Sequence, residues 1–204
     1  MQVQTDQLLP LVVATSFAAG INVYATVFTL GLLSHAGLYS LPPSLHVLDS
    51  WWCIAVSGAL FLIEVFADKI PYFDVVWNFL HTFIRVPVAA LLAYGATSQL
   101  PPAWQLLASG LGAAIAFGVH SGKTALRIGV NTSPEPFSNV AVSTVEDGAS
   151  IGLTWLATVH PFLAASIALA GIVVLLFAIR WIVRSLGKGF ALLRGDLQTR
   201  PAGS

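Results

Sequence analysis

An all-α fold is predicted, a polytopic membrane helix bundle of about six transmembrane helices, and three observations predict it. Mean hydropathy is +0.82. Only 9% of the residues are charged and 56% are hydrophobic, where an average soluble domain carries roughly a quarter charged residues. The apolar residues also run in stretches of about 20 or more, the length that crosses a bilayer, parted by breaks rich in Pro and Gly. Lys+Arg and Asp+Glu balance at 9 each, so no basic surface points to nucleic acid. The single cysteine, Cys53, excludes an intrachain disulfide and a cysteine metal cluster.

The first span is expected over residues 8 to 33. The start, MQVQTDQLLP, lacks a positive n-region, so this run reads as a retained span rather than a cleaved signal. Within AAGINVYAT, Gly20 loosens packing or the helix, and Asn22, Thr26 and Thr29 share a face. Such side chains serve as hydrogen-bonding glue between membrane helices, or they line a path. Pro42-Pro43 and Gly37 make the next stretch an irregular loop, after which Trp51 and Trp52 mark an interface. The second span runs to about residue 70, with Ser57, Glu64 and Asp68 on one face.

Pro71 turns the chain, and a third helix is expected from Asp74 to about Tyr94, kinked or divided at Pro87. Its residues Asp74, Asn78, His81 and Arg85 fall on one face of a 3.6-residue period, opposite an apolar face. A polar stripe on so apolar a helix faces protein or a cavity rather than lipid. The fourth helix, over about 103 to 127, carries Gly110, Ala114, Gly118 and Gly122 at four-residue spacing, a seam that permits close helix approach within the chain or in a homo-oligomer. His120, Lys123 and Arg127 form a basic stripe near its end. Asn131 and Glu135 lie in the turn VNTSPEPFSN, and a fifth helix follows from Asn139 to Val159, with Glu146 and Asp147 inside it. His160-Pro161 breaks the chain before a sixth span over about 162 to 183. Residues 1–184 are thus expected to form one transmembrane domain and 185–204 a basic cytoplasmic tail.

The loops at 34–50, 97–103 and 158–161 contain no Lys or Arg, whereas the turns near Lys69 and Lys123 and the tail contain most of them. With six spans this bias puts both termini in the cytoplasm. Shifted by 65 residues, PYFDVVWNFLHTFIR overlays PFSNVAVSTVEDGAS, so that Asp74, Asn78, His81 and Arg85 fall on Asn139, Ser143, Glu146 and Ser150. Two helix, proline turn, helix repeats are therefore expected, with a site at their interface as in many transporters.

An unpaired charge at the centre of a membrane helix costs about 2.5 to 3.5 kcal/mol on insertion scales. Glu64, His81, Arg85, His120, Lys123, Glu146 and Asp147 must therefore pair or face water, and they are expected to converge in one half of the bundle. Lys69, Arg127 and Glu135 extend the set toward the cytoplasmic turns. A buried ion-pair network fixing helix register is one reading. The other is a pathway, in which Arg85, His120, Lys123 and Arg127 hold an anion and Glu146, Asp147 and His81 pass protons.

Two motifs fail. GVHSGKT would need Gly at the position of Phe117 to be a phosphate loop, and no HExxH or similar metal spacing occurs. Asn131-Thr132-Ser133 matches a glycosylation sequon but falls on the side expected to be cytoplasmic.

ADKIPYFDVVW, the following TFIRVP and NTSPEPFSN with its trailing ED resemble a family of small bacterial membrane proteins catalogued as domain of unknown function 4126. The resemblance runs from the first span through Asp147 and implies a polytopic membrane protein without supplying an activity. The expected function is transport of a small anionic or proton-coupled solute through a polar cavity in the bacterial inner membrane. Binding or translocation of an anionic lipid head group is the second expectation, and a membrane-embedded enzyme or an accessory subunit the third. No catalytic set, cofactor or metal is named by the sequence.

Overall fold

The computed structural model describes residues 4–67, 73–131 and 136–199, with side chains for 4–67, 80–126, 140–181 and 184. Every regular element among them is a helix: α1 (Leu8–Ile21), α2 (Val23–His35), α3 (Trp51–Ala67), α4 (Phe73–Ala96), α5 (Pro102–Asn131), α6 (Pro136–Val159) and α7 (Pro161–Thr199), with short 3-10 turns at Thr5–Gln7 and Pro43–Asp49. The helices form a bundle around α1, which packs against α4, α5, α6 and α7. Eleven of its 14 residues are buried, which is why it has no polar face: a helix surrounded by others needs none.

The expected single span over 8 to 33 is corrected. The chain breaks at Asn22, whose φ of −148° and ψ of 104° are extended, and α2 doubles back along α1. Leu11, Thr15, Leu30 and Leu92 line one narrow cavity, although in a continuous helix Leu11 and Leu30 would stand about 28 Å apart. Leu8, at the start of α1, meets Ser40 to Pro43 and Ser98 around a hollow of about 490 Å³. Both ends of the hairpin therefore lie at the same end of the bundle. Its limbs of 14 and 13 residues reach about 20 Å each, short of the roughly 30 Å of a hydrocarbon core.

From there the chain passes lengthwise along the bundle five times. α3 descends beside α2, with Gly58 against Phe28, and ends near Arg85 of α4. α4 returns, Ser44 bonding the Gly95 carbonyl at 2.8 Å, and continues unbroken through Pro87. α5 runs beside and parallel to α1, α6 antiparallel to both, and α7 parallel again, with Gly171 on Phe17 and Leu175 on Gly122. Five passes after a hairpin put Thr5 and Arg184 at opposite ends, so the expectation of both termini on one side is also corrected.

The described helices Pro102–Leu126 and Pro161–Trp181 are long and apolar enough to cross a membrane, and a third span counts if Pro43–Asp49 and α3, bent by 64°, are taken together. Six such spans are not found among the described residues: Thr5–Ile21, Val23–His35 and Leu80–Ala96 are shorter apolar helices, and α6 carries Glu146 and Asp147. α7 runs past residue 184 to Thr199 without a break.

The glycine seam of α5 meets another helix at Gly122, where Leu175 of α7 packs, but it is not the face that packs on α1 and α4. A Cβ on Gly110 or Gly118 would touch nothing within 4 Å, whereas one on Gly112 would lie 2.8 Å from Ser16 Oγ and from Ala93 Cβ. One on Gly20 would lie 2.8 Å from Val119 Cβ and 2.9 Å from the Ala116 carbonyl. Close packing of α1, α4 and α5 thus uses Gly20, Gly112 and Ala116, a face rotated from the four-residue repeat.

Candidate functional site

The hairpin tip is where polar groups collect. The Asn22 side-chain oxygen accepts from the Ala25 amide at 2.9 Å, capping α2, and its amide donates to Asp147 Oδ1 at 2.9 Å. Ser150 Oγ lies 3.1 Å from the Ala18 carbonyl and 3.0 Å from that of Asn22, and 3.2 Å from Thr26 Oγ1. A helix end inside protein leaves backbone groups without intrahelical partners, and here α6 supplies partners from one side while α5 supplies Lys123 from another.

Lys123 Nζ donates to the Ile21 carbonyl at 3.1 Å, stands 3.3 Å from Glu146 Oε2 and approaches Glu64 Oε1 at 3.9 Å. One ammonium therefore joins α1, α3 and α6 to α5. Arg85 Nη2 donates to Glu64 Oε1, and Arg85 Nη1 donates to His120 Nδ1 at 2.6 Å. Glu64 and Arg85 are 0% exposed and Lys123 is 4% exposed. His81, one turn before Arg85, meets the Tyr24 ring edge-on with centroids 5.5 Å apart.

The signs agree with the helix ends. The carboxyl end of α1, with its partial negative charge, faces the Lys123 cation, and the amino end of α2 lies beside the Asp147 carboxylate; both arrangements are favourable. Among the described side chains of the tip, Glu64, Glu146 and Asp147 stand with Arg85 and Lys123, three acids and two bases, beside His81 and His120.

Seven of the expected site residues thus come together at the tip: Glu64, His81, Arg85, His120, Lys123, Glu146 and Asp147. Asp68, Lys69 and Glu135 lie outside the described residues, as does the Pro71 turn, and the side chains of Asp74, Asn78, Arg127, Asn131 and Asn139 lie outside the described side chains. Arg85 and Glu146 are linked through Glu64 and Lys123, with the hairpin tip between the two helices.

Sequence reading placed Asn22 and Thr26 on a polar face without assigning them to the site, and it overlooked Tyr24. The string AAGINVYAT held the signal, a glycine and an asparagine in the middle of an apolar run. Ser143 Oγ, on the α6 stripe, is buried without a hydrogen-bond partner among the described residues.

A family model described as Domain of unknown function (DUF4126) matches residues 9–184, and the chain belongs to that family. No curated protein and no solved structure matches it.

Proposed function

We propose that this member of the DUF4126 family is a multi-pass transport protein of the bacterial inner membrane, moving a small solute together with protons past the hairpin tip. The observation that carries the reading is the break at Asn22: two helix ends stop inside the bundle and meet five ionisable side chains from α3, α4, α5 and α6. Interrupted helices whose ends face a charged cluster are how many transporters build a substrate or coupling-ion site. Among the described side chains of the tip, the excess of one carboxylate over the two basic groups favours a site that takes up a proton, and an anion would enter with that proton.

Orientation follows the basic residues. Lys123, Arg180 and Arg184 lie toward the same end of the bundle, opposite the uncharged loop at 97–103, and that end is assigned to the cytoplasm. Thr5 then faces the outer side.

The test is proton flux in proteoliposomes that contain a pH-sensitive dye and are driven by a potassium diffusion potential, with inorganic phosphate and small monocarboxylates added in turn. Arg85→Ala and Glu146→Gln should each slow the flux by about ten-fold or more, the effect of about 1.4 kcal/mol on a barrier. Flux unchanged in both variants rejects the reading.

A second reading has its own observation. Val173, Leu176 and Phe177 form an open apolar surface on α7 with Arg180 and Arg184 at its end, a pattern suited to an acyl chain below an anionic head group. Loss of anionic-lipid binding in Arg180→Gln/Arg184→Gln, with proton flux intact, would favour it.

A further inference from the structure

We infer that the hollow at the outer end of the bundle is the loading site for the solute, and that it takes a carboxylic acid together with one proton. The inference rests on the transport reading above and names the substrate class that reading leaves open. Ser40, His46, Ser98 and Gln99 line the hollow beside Leu41 and Pro42, around a volume of about 490 Å³. Apolar walls with a few polar groups, at this size, are usual for a small-molecule site.

The polar groups decide the class. No Asp, Glu, Lys or Arg lines the hollow, and the stretches 34–48 and 86–104 that supply most of it carry none. A carboxylate is ordinarily held by a basic side chain, and taking one out of water without a cation is costly. The undissociated acid needs only an acceptor for its O–H and donors for its C=O. His46 Nε2 lies 3.0 Å from the Leu41 carbonyl. A carbonyl only accepts, so Nε2 donates and Nδ1 of the neutral ring is the acceptor. The Ser40 and Ser98 hydroxyls and the Gln99 amide supply the donors. The acid O–H donates to Nδ1, and the proton stays within this pair whichever of the two atoms holds it. Each solute therefore arrives with one proton, for which the surplus carboxylate at the tip provides a place.

The other titratable side chains at this end are Asp6, His35, Tyr39, Asp49, Cys53, Tyr94 and His160, and none of them lines the hollow. Asp49, on the same turn as His46, is held by α2: Ser34 Oγ donates to its carboxylate at 3.4 Å and His35 Nδ1 to its backbone carbonyl at 2.9 Å. Inward, Leu41, Pro42 and Ala96 also border the narrow cavity that Thr15, Leu30 and Tyr39 line. At about 10 Å³ this neck has room for no more than one water, so it holds a loaded solute at the outer end until the helices part. Beyond the hollow, polar groups await a partner. The Tyr39 hydroxyl and Ser16 Oγ of α1 are buried without a hydrogen-bond partner among the described residues, and Ile21 at the tip lies about 8 Å beyond Ser16 along α1.

The test is equilibrium binding of radiolabelled benzoic acid to the full chain in lipid nanodiscs, counted as the saturable part that excess unlabelled benzoate displaces. One site per chain is expected. Its apparent Kd should rise about ten-fold from pH 7 to pH 8, because one proton enters with each ligand. Benzenesulfonate, an anion of the same body that takes no proton, should not displace the label. His46→Ala, at an exposed position, should weaken binding at pH 7 by about ten-fold. A Kd unchanged between pH 7 and pH 8, displacement by benzenesulfonate, full affinity in His46→Ala or no saturable binding overturns the proposal. Where His46→Ala fails to fold, the wild-type pH dependence and the sulfonate competition decide. The transport reading fails separately: proton-linked binding without flux rejects only transport, and benzoate flux that His46→Ala leaves unchanged rejects only the loading site.

Discussion

Arg85 and Glu64 are the largest fully buried side chains among the described residues, and their energetics are asymmetric. A buried ion pair gains little over apolar residues of the same volume, because desolvation offsets the Coulomb attraction, whereas removing one partner leaves a charge in a low dielectric. Arg85→Ala should therefore cost about 3–5 kcal/mol, read as a fall in thermal unfolding midpoint in detergent. Glu64→Leu/Arg85→Met should lose less than Arg85→Ala, and a larger loss in the double variant would contradict this account. Tyr39 poses the opposite case, outside the spans. Its hydroxyl is buried with no hydrogen-bond partner among the described residues, and burial pushes its phenol up to about 12. The unfolded chain releases that proton near pH 10 while the folded chain keeps it. Stability linked to Tyr39 is thus intact below pH 10 and declines as pH rises from about 10 to about 12. Tyr39→Phe should be neutral or stabilising at pH 7 and should remove that part of the alkaline loss, as urea unfolding at pH 7 and pH 11 would reveal.

At the scale of helices, α1 approaches its neighbours through absent side chains. A Cβ on Gly112 would meet Ser16 Oγ and Ala93 Cβ at 2.8 Å and the Ala89 carbonyl at 3.1 Å, so Gly112→Ala must push α1, α4 and α5 apart. Overpacking of this kind costs about 1–3 kcal/mol. Gly118 has nothing within 4 Å and sits inside α5, so Gly118→Ala should instead stabilise the helix by about 0.5–1 kcal/mol. Opposite shifts of the unfolding midpoint are expected, and equal ones would show that the packing face has been misplaced. Sequence spacing chose Gly110, Ala114, Gly118 and Gly122 because small residues four apart mark a face, but it could not say which face α1 occupies. Gly112 and Ala116 also lie four apart, and only the position of the hairpin separates the two sets.

For the whole molecule, the hairpin decides the count of passes. With the cytoplasmic assignment proposed for the basic end, a reporter fused before Thr5 should be active only outside and one fused after the α7 helix only inside. Reporters active on the same side would contradict five passes. The cluster at the hairpin tip also makes distant segments interdependent: Lys123 touches α1, α3 and α6, so its loss should loosen all three together, unlike the exposed position Gly118.

Much of this was legible in the residues. An all-helical membrane bundle followed from hydropathy and the proline breaks, and the convergence of Glu64, His81, Arg85, His120, Lys123, Glu146 and Asp147 followed from the cost of leaving charges alone in hydrocarbon. The sequence by itself determined that these groups must meet. Tertiary structure alone decided how: that α1 ends at Asn22 and returns, that Glu64 and Lys123 link Arg85 of α4 to Glu146 of α6, and that Arg85 donates to His120. The physical reason is range. Hydropathy and periodicity are local properties of a dozen or so residues, while the reversal at Asn22 is held by Asp147 and Ser150 more than 120 residues away.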